Sequence, residues 1–425
     1  MTTKSFASLS MPANSIAVAR APALLDVRGP HPPGPGANLY GTDQDDTIYG
    51  NYRANELHGL AGNDLFKYSI GGDAFFGDSG NDTVDYSAAP SAINVDLVRD
   101  QHGAAGAGAS GAAAGDTYDQ VENVIGSGAA DTIRGDNGAN VIVAGAGADY
   151  IEGRGGDDHL AGGKGADYIL GGDGNDTIWA GQLYQTDYDS DTIFGGNGND
   201  RITGSHGNNF LNGDDGNDTV FGFGGDDTVN GGNGDDLLYG DDAKPMNGVA
   251  DGSDAVAGGL GNDTIFGGGG KDYLFGGSGN DTIYGEKGDD LILGGPGADR
   301  LSGGYGTNTF VFTAPTDGGD HIVDFQHSYI GYTDPWSGTT VHVNTSDKIA
   351  IDRAGFGLSD SFTINNATFQ SGDHIVGKNF GPMFFYNTHD HTLSFDSNGI
   401  LPGGETVLAT FDNGQVISAS DFLLI

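Results

Sequence analysis

Residues 162–179 read GGKGADYIL GGDGNDTIW, which is two rows of nine residues with the same pattern. Glycine fills places one, two and four of each row, aspartate fills place six, and a large apolar residue fills place eight. Two kinds of residue, one acidic and one apolar, therefore recur in phase. A fixed period of this kind indicates a repeat protein, in which one small structural unit is stacked many times.

The same pattern extends over most of the chain in both directions. Place six holds aspartate at Asp46, Asp64, Asp73, Asp82, Asp131, Asp149, Asp158, Asp167, Asp176, Asp191, Asp200, Asp218, Asp227, Asp236, Asp254, Asp263, Asp272, Asp281, Asp290 and Asp299, and asparagine at Asn55, Asn140, Asn209 and Asn308. Place eight holds a large apolar residue in all 24 of these repeats, from Ile48 to Phe310. Two columns that stay in phase over this length show that the repeat is the fold.

Nine residues of this kind predict one turn and one short strand. Glycine tolerates the backbone angles of tight turns, and places seven to nine carry mostly β-branched, aromatic and other apolar residues. A single short strand buries nothing alone, so coils of two repeats must stack, with strands 18 residues apart paired in parallel and rising about 4.8 Å per coil. The sequence therefore predicts an all-β protein, a parallel β-roll or solenoid with a continuous interior ladder of place-eight side chains.

The place-six aspartates predict a cation between the coils. Carboxylates 18 residues apart, such as Asp149 and Asp167, would lie about 5 Å apart on one edge of the roll. At an effective dielectric near 20 they would repel each other by about 3 kcal/mol. Calcium prefers cages of carboxylate and carbonyl oxygens, so we predict calcium ions between the turns. Counting 18-residue pairs inside unbroken runs gives about 16 candidate sites among the 24 place-six residues named above.

Composition excludes several classes of function. The chain has 425 residues, a formal net charge of −42 and no cysteine. A strongly anionic surface repels phosphate backbones, so we expect no nucleic-acid partner. Without cysteine there are no disulfides and no thiolate-ligated metals. No apolar run reaches the roughly 20 residues of a transmembrane helix, so we expect no transmembrane segment.

The repeat is similar to the G-G-x-G-x-D-x-U-x nonapeptide of hemolysin-type (RTX) calcium-binding proteins. Its best matches are GGNGNDRIT at residues 195–203 and GGLGNDTIF at residues 258–266, and the resemblance covers residues 41–85 and 126–308. The resemblance implies a calcium-stacked parallel β-roll and export through the type I secretion machinery. Repeats with asparagine at place six depart from the pattern, and so do residues 50–58, where glycines are missing. We expect weak or absent calcium binding there.

The chain divides into five predicted segments. Residues 1–40 read as a flexible leader, 41–85 as a first β-roll block, 86–125 as an insertion and 126–308 as the main β-roll. Residues 309–425 resemble the β-rich cap and secretion-signal region that follows the repeats in RTX proteins, and the terminal DFLLI at 421–425 resembles an uncleaved export signal. Shorter insertions around residues 181–190 and 241–251 are expected to bulge from one edge of the roll.

Motifs that suggest other chemistry are weak. The chain contains neither H-E-x-x-H nor G-x-S-x-G, and GDSG at residues 77–80 is in phase as a repeat turn. Asp187, Asp189 and Asp191 imitate the start of an EF-hand loop, but its glycine and glutamate positions hold other residues. His389 and His391 offer transition-metal ligands on one strand face, although a hairpin tip is the favoured interpretation.

The resulting hypothesis is a secreted, non-catalytic, calcium-binding β-roll that folds outside the cell or at the cell surface as a surface, matrix or adhesion component. Its expected partners are calcium ions and the type I secretion machinery, with surface polysaccharide or other matrix proteins as further candidates. Two alternatives stay open. The first is a secreted enzyme or toxin accessory with activity in the cap or in residues 86–125, and the second is a polysaccharide-binding module.

Overall fold

Short strands separated by glycine-rich turns make up the described structure. The computed structural model describes residues 26–28, 38–98, 106–181, 188–241, 251–326, 329–333, 340–344, 346–365, 368–372, 382–397, 405–412 and 417–425. Within these ranges there are 39 strands and two single-turn 3₁₀ helices, Pro315–Asp317 and Ala419–Asp421, but no α-helix. Accordingly, no helix in this part of the chain has the length and apolar character needed to span a bilayer.

The strands are numbered in chain order. The first group is β1 Asp26–Arg28, β2 Asn38–Tyr40, β3 Thr47–Tyr49, β4 Glu56–His58, β5 Leu65–Lys67, β6 Ala74–Phe76, β7 Thr83–Asp85, β8 Ile93–Asp96, β9 Gly106–Gly111, β10 Thr117–Asp119 and β11 Asn123–Ile125. The second is β12 Thr132–Arg134, β13 Val141–Ala146, β14 Tyr150–Gly155, β15 His159–Lys164, β16 Tyr168–Asp173, β17 Thr177–Gly181, β18 Thr192–Asn197, β19 Arg201–Thr203, β20 Phe210–Asp215, β21 Thr219–Phe223, β22 Thr228–Asn233, β23 Leu237–Asp241, β24 Ala255–Leu260, β25 Thr264–Gly269, β26 Tyr273–Ser278, β27 Thr282–Lys287, β28 Leu291–Leu293, β29 Arg300–Ser302, β30 Thr309–Phe312 and β31 Asp320–Ile322. The third is β32 Tyr329–Thr333, β33 Thr340–Asn344, β34 Lys348–Ile351, β35 Phe369–Gly372, β36 Met383–Asn387, β37 Thr392–Asp396, β38 Glu405–Phe411 and β39 Phe422–Leu424.

Alternate strands form two long parallel sheets, one on each side of the roll. In one sheet β13 pairs with β15, which places Ile142 beside Leu160. In the other, β14 pairs with β16 and β12 with β14, with the same spacing of 18 residues. Two repeats therefore make one coil, and the predicted parallel β-roll is confirmed.

Insertions lengthen a coil without changing its neighbours' register. Ile169 pairs with Ile193 across 24 residues, and Leu238 pairs with Ile265 across 27 residues. The extra residues fall between β17 and β18 and between β23 and β24, in the segments where the sequence predicts edge bulges. Most of those segments, residues 182–187 and 242–250, lie outside the described residues.

The interior of the roll is the predicted ladder of place-eight side chains. None of these side chains from Ile48 to Phe310 is more than 2 % exposed. The place-nine side chains stand on the outer face, where Phe221, Tyr239, Phe266 and Tyr284 stack with ring centroids 4.8, 4.8 and 4.9 Å apart. This spacing is the expected rise per coil.

Strands from residues 86–125 lie within the two sheets. β8 pairs in parallel with β12, β10 pairs in parallel with β6, and β11 lies between β7 and β13. Only β9 is antiparallel, and it joins β8 to β10. The stack of strands is therefore continuous from the first repeats to the main roll, and the predicted domain boundaries stay a prediction.

The C-terminal region begins as a continuation of the roll and ends as an antiparallel cap. β31 pairs with β29, and β34 pairs in parallel with both β30 and the terminal strand β39. β36, β37 and β38 then form an antiparallel sheet around Phe356, Phe384, Phe395 and Phe422. The turn between β36 and β37 carries His389 and His391, at a hairpin tip. Residues 1–25 lie outside the described residues, together with most of the predicted leader.

Candidate metal centres along the roll

The place-six carboxylates lie at the two edges of the roll, each one residue before a strand begins. All twenty predicted aspartates are at most 3 % exposed. The turn that precedes each strand carries the aspartate inward, because place eight, two residues later, must point into the core. The roll therefore buries a column of acidic side chains along each edge.

From Asp64 onward, one oxygen of each place-six carboxylate joins neighbouring coils. The backbone N–H of Asp131 donates to Asp149 Oδ1 at 2.7 Å, and the N–H of Asp149 donates to Asp167 Oδ1 at 2.8 Å. On the other edge the N–H of Asp158 donates to Asp176 Oδ1 at 2.8 Å. The spacing predicts carboxylates that face each other, and the structure adds a hydrogen-bond ladder that keeps them stacked in spite of their repulsion.

The second oxygen is buried and, at most of the main-roll levels, accepts no hydrogen bond within the described residues. This holds for Oδ2 of Asp64, Asp82, Asp149, Asp158, Asp176, Asp200, Asp218, Asp227, Asp236, Asp254, Asp263, Asp272, Asp281, Asp290 and Asp299. A buried, charged oxygen without a donor is unfavourable unless another positive group compensates it.

At most of these levels the place-one glycine lies between this oxygen and a main-chain carbonyl of the next coil. A methyl group built on Gly267, at place one, would lie 2.6 Å from Asp272 Oδ2 and 2.9 Å from the carbonyl oxygen of Gly285. A side chain at Gly267 would therefore crowd both oxygens. Two acceptors that converge without a donor are the oxygen environment of a hard cation.

Burial raises the pKa values of these carboxyls far above 3.8. Desolvation, only partly offset by the amide hydrogen bond, raises the pKa of Asp158 to about 7 and that of Asp227 to about 8. At Asp254, burial together with the negative charges of Asp241, Asp227 and Asp272 raises the pKa to about 9. The charged form of the column is therefore costly without a cation.

The available ligand atoms fit calcium better than they fit a transition metal held by several side chains. Across the described ranges, no group of three or more histidine, aspartate or glutamate side chains is placed to hold a metal ion. The oxygens at each level come from single carboxylates and from main-chain carbonyls. Calcium accepts such a mixture, whereas transition metals favour imidazole or thiolate ligands.

Four acidic residues that the nine-residue period does not predict also occupy the columns. Asp116 Oδ1 accepts the N–H of Asp73 at 2.7 Å, and Glu122 Oε2 accepts the N–H of Asp82 at 2.8 Å. In the C-terminal region Asp320 Oδ1 accepts the N–H of Asp299, and Asp347 Oδ1 accepts the N–H of Asn308. Each is followed two residues later by a buried apolar residue. An acidic residue two positions before a large apolar one is therefore the sequence signal that could have identified these four residues.

Two asparagine levels carry their own donor. Asn140 Nδ2 donates to the carbonyl oxygen of Glu122 at 2.8 Å, and Asn209 Nδ2 donates to that of Gly207 at 2.7 Å. The side-chain amide thus supplies a hydrogen-bond donor to a main-chain carbonyl at each of these two levels. Weak or absent calcium binding at these levels stays a prediction. Asp191 of the EF-hand-like run is itself part of the column, since its Oδ1 accepts the N–H of Asp167, whereas Asp187 lies outside the described residues.

A comparison with protein families agrees with this geometry. The model of the RTX calcium-binding nonapeptide repeat matches residues 40–73, 125–160, 152–182, 186–220, 221–243, 250–283 and 275–310. The chain belongs to the RTX repeat family. The RTX matches span the main roll, and they leave out residues 74–124, of which residues 86–124 depart from the nine-residue period. No curated protein gives a significant match to the sequence.

Acidification should favour the calcium-free RTX roll. Burial raises the pKa of four column carboxyls, Asp149, Asp158, Asp227 and Asp254, to about 6, 7, 8 and 9 when folded, against 3.8 unfolded, so the folded chain binds more protons. The electrostatic penalty of folding is absent below about pH 4 and complete above about pH 9. We expect β-structure, measured by circular dichroism in metal-free solution, to increase as the pH is lowered from about 8 to 5. A calcium-free roll that gains structure as the pH rises would contradict this.

The space beside place-one glycines should be intolerant of a methyl group. Gly267→Ala places that group against Asp272 Oδ2 and the Gly285 carbonyl, and we expect it to destabilise the calcium-bound RTX roll by about 1–3 kcal/mol. Gly128→Ala is the matched control, because a methyl group there meets no atom within 4 Å. Urea denaturation in excess calcium measures both variants, and equal midpoints for the two would refute the expectation.

Proposed function

We propose that this protein is a secreted, non-catalytic β-roll that folds when it binds calcium outside the cell and serves as a surface, matrix or adhesion component. The observation that carries the proposal is the column of buried carboxylate oxygens that lack a hydrogen-bond donor and face main-chain carbonyls. We propose a non-catalytic role because the sequence contains neither the H-E-x-x-H nor the G-x-S-x-G motif.

In this proposal the place-six aspartates are the calcium ligands, assisted by carbonyl oxygens of the glycine-rich turns. The 18-residue pairs provide about 16 candidate sites. Extracellular calcium modules bind with dissociation constants of about 10⁻⁴–10⁻³ M. Sites of that class are empty at cytosolic calcium concentrations and filled outside the cell.

Calcium then acts as a folding switch. Without it, the net charge of −42 and the buried columns oppose compaction, because each folded coil adds two carboxyl levels with raised pKa values. An unfolded chain suits passage through an export channel. Outside the cell the binding free energy of the ions becomes folding free energy.

Folding should require calcium, and the requirement should depend on the carboxylates whose Oδ2 has no hydrogen-bond donor among the described residues. We expect a disordered circular dichroism spectrum in chelator and β-structure at millimolar calcium. Asp176→Asn keeps the Oδ1 acceptor for the Asp158 amide but removes the charge beside the turn carbonyls, so the calcium midpoint should rise several-fold. Asp157→Asn is the control, since Asp157 is exposed and its Oδ1 accepts hydrogen bonds from the backbone N–H and the side-chain amide of Asn175.

A chain that is equally folded with and without calcium would refute the proposal. If Asp176→Asn and Asp157→Asn shift the calcium midpoint equally, the buried column is not the site. Both outcomes are read from the same titration.

Export should depend on the C-terminal residues and on a type I exporter. The terminal strand β39 pairs with β34 in the folded protein, with Ile349 beside Phe422, so one of its backbone edges is free only before folding. We expect the full chain in the culture medium of a host that carries a type I exporter and in the cell pellet of a host without one. Deleting residues 421–425 should retain the chain in the pellet, and undiminished export of the deletion would contradict this signal.

A further inference from the structure

The acidic turns of the roll occur in two backbone forms. In the first form, the open turn, the place-two residue is left-handed, as at Gly172 with φ +119°. The same conformation is kept when place two is not glycine, with φ +81° at Arg154 and +73° at Asp214. The aspartates four residues after these three positions, Asp176, Asp158 and Asp218, have an Oδ2 without a hydrogen-bond donor among the described residues. An open turn therefore leaves one carboxylate oxygen uncompensated.

In the second form, the closed turn, serine or threonine at place two compensates that oxygen. The Thr42 N–H and hydroxyl donate to Asp46 Oδ2 at 2.5 and 2.9 Å. The Ser69 hydroxyl donates to Asp73 Oδ2 at 2.6 Å. At Asp131 the Ser127 N–H donates to Oδ2 at 2.6 Å and the Ser127 hydroxyl donates to Oδ1 at 2.8 Å. Thr42, Ser69 and Ser127 do not have positive φ angles, so the turn has a different backbone path.

A fourth carboxylate is closed by a tyrosine from outside its turn. The hydroxyl of Tyr86 donates to Asp116 Oδ2 at 2.7 Å and lies 2.5 Å from the hydroxyl of Tyr118. Both tyrosines are at most 1 % exposed. The phenol group thus occupies the position beside the carboxylate that stays without a donor in the open turns.

We propose that the closed turns take no calcium, and that hydroxyl and amide donors replace the ion at Asp46, Asp73, Asp116 and Asp131. The inference rests on the proposed calcium-dependent function and specifies its sites. A carboxylate whose second oxygen also accepts a hydrogen bond is compensated, and an ion would have to displace the donor that already occupies that position. Serine or threonine at place two is therefore a sequence code for a metal-free level.

The two forms are distributed unevenly along the roll. The four closed carboxylates lie between Asp46 and Asp131, where Asp64 and Asp82 are the open exceptions. Open turns dominate from Asp149 to Asp299, and the Asn209 level, which has Ser205 at place two, interrupts them. The calcium requirement is therefore concentrated in the C-terminal two-thirds of the roll, and the N-terminal coils provide levels that close without an ion.

Calcium stoichiometry tests this inference on neighbouring levels of one column. Asp131→Asn alters a closed turn and Asp149→Asn alters the open turn directly above it, and both keep an Oδ1 acceptor for the inter-coil amide. Equilibrium dialysis against saturating calcium, with ion content measured by mass spectrometry, gives ions per folded chain. We expect Asp149→Asn to bind at least one ion fewer than the unaltered chain and Asp131→Asn to bind the same number.

Equal losses in the two variants, or no loss in Asp149→Asn, would overturn the inference. If either variant fails to fold at saturating calcium, Asp46→Asn against Asp64→Asn gives the same comparison at the other edge, near the end of the roll, where the N–H of Asp46 donates to Asp64 Oδ1 at 2.8 Å. An unaltered chain that binds no calcium at all would instead refute the proposed function. The two failures are therefore distinguishable.

Discussion

The burial of stacked carboxylates is the constraint on which the rest of the structure depends. After the first level, each acidic side chain at place six has one oxygen fixed by the amide of the neighbouring coil and, in the open turns, a second oxygen that has no hydrogen-bond donor among the described residues. Such a pocket is unfavourable for an anion in a protein interior, and a hard cation compensates it with the ligands it prefers. The glycines, the net charge and the proposed calcium dependence all belong to the same arrangement.

The hydrophobic interior alone is a thin source of stability. The ladder is one side chain wide on each sheet, and its members from Ile142 to Ile292 are fully buried. Because each coil contacts only its neighbours, the free energy of the roll is close to a sum of coil and interface contributions. A penalty or gain at one carboxylate level is thus repeated along the edge, so the proposed calcium-dependent folding would respond steeply to the ion concentration.

The regular parts of this fold follow from the sequence, and the irregular parts do not. The nine-residue pattern predicts the coil, the 18-residue register and the buried ladder, which the pairing of Ile142 with Leu160 confirms. Asp320 and Asp347 extend the columns across connections whose lengths break the period, so spacing alone did not reveal them. The two turn forms also escape prediction, since Arg154 adopts a left-handed φ that its residue type disfavours.

The unchanged register around the longer coils has a practical consequence. Ile193 and Ile265 sit in the ladder as their neighbours do, although six and nine extra residues precede them relative to an 18-residue coil. The strands on both sides of the β17–β18 connection and of the β23–β24 connection therefore stay paired although these connections are longer. These two connections are natural grafting points, at which an epitope or a short affinity peptide can be displayed at a defined height on a rigid scaffold.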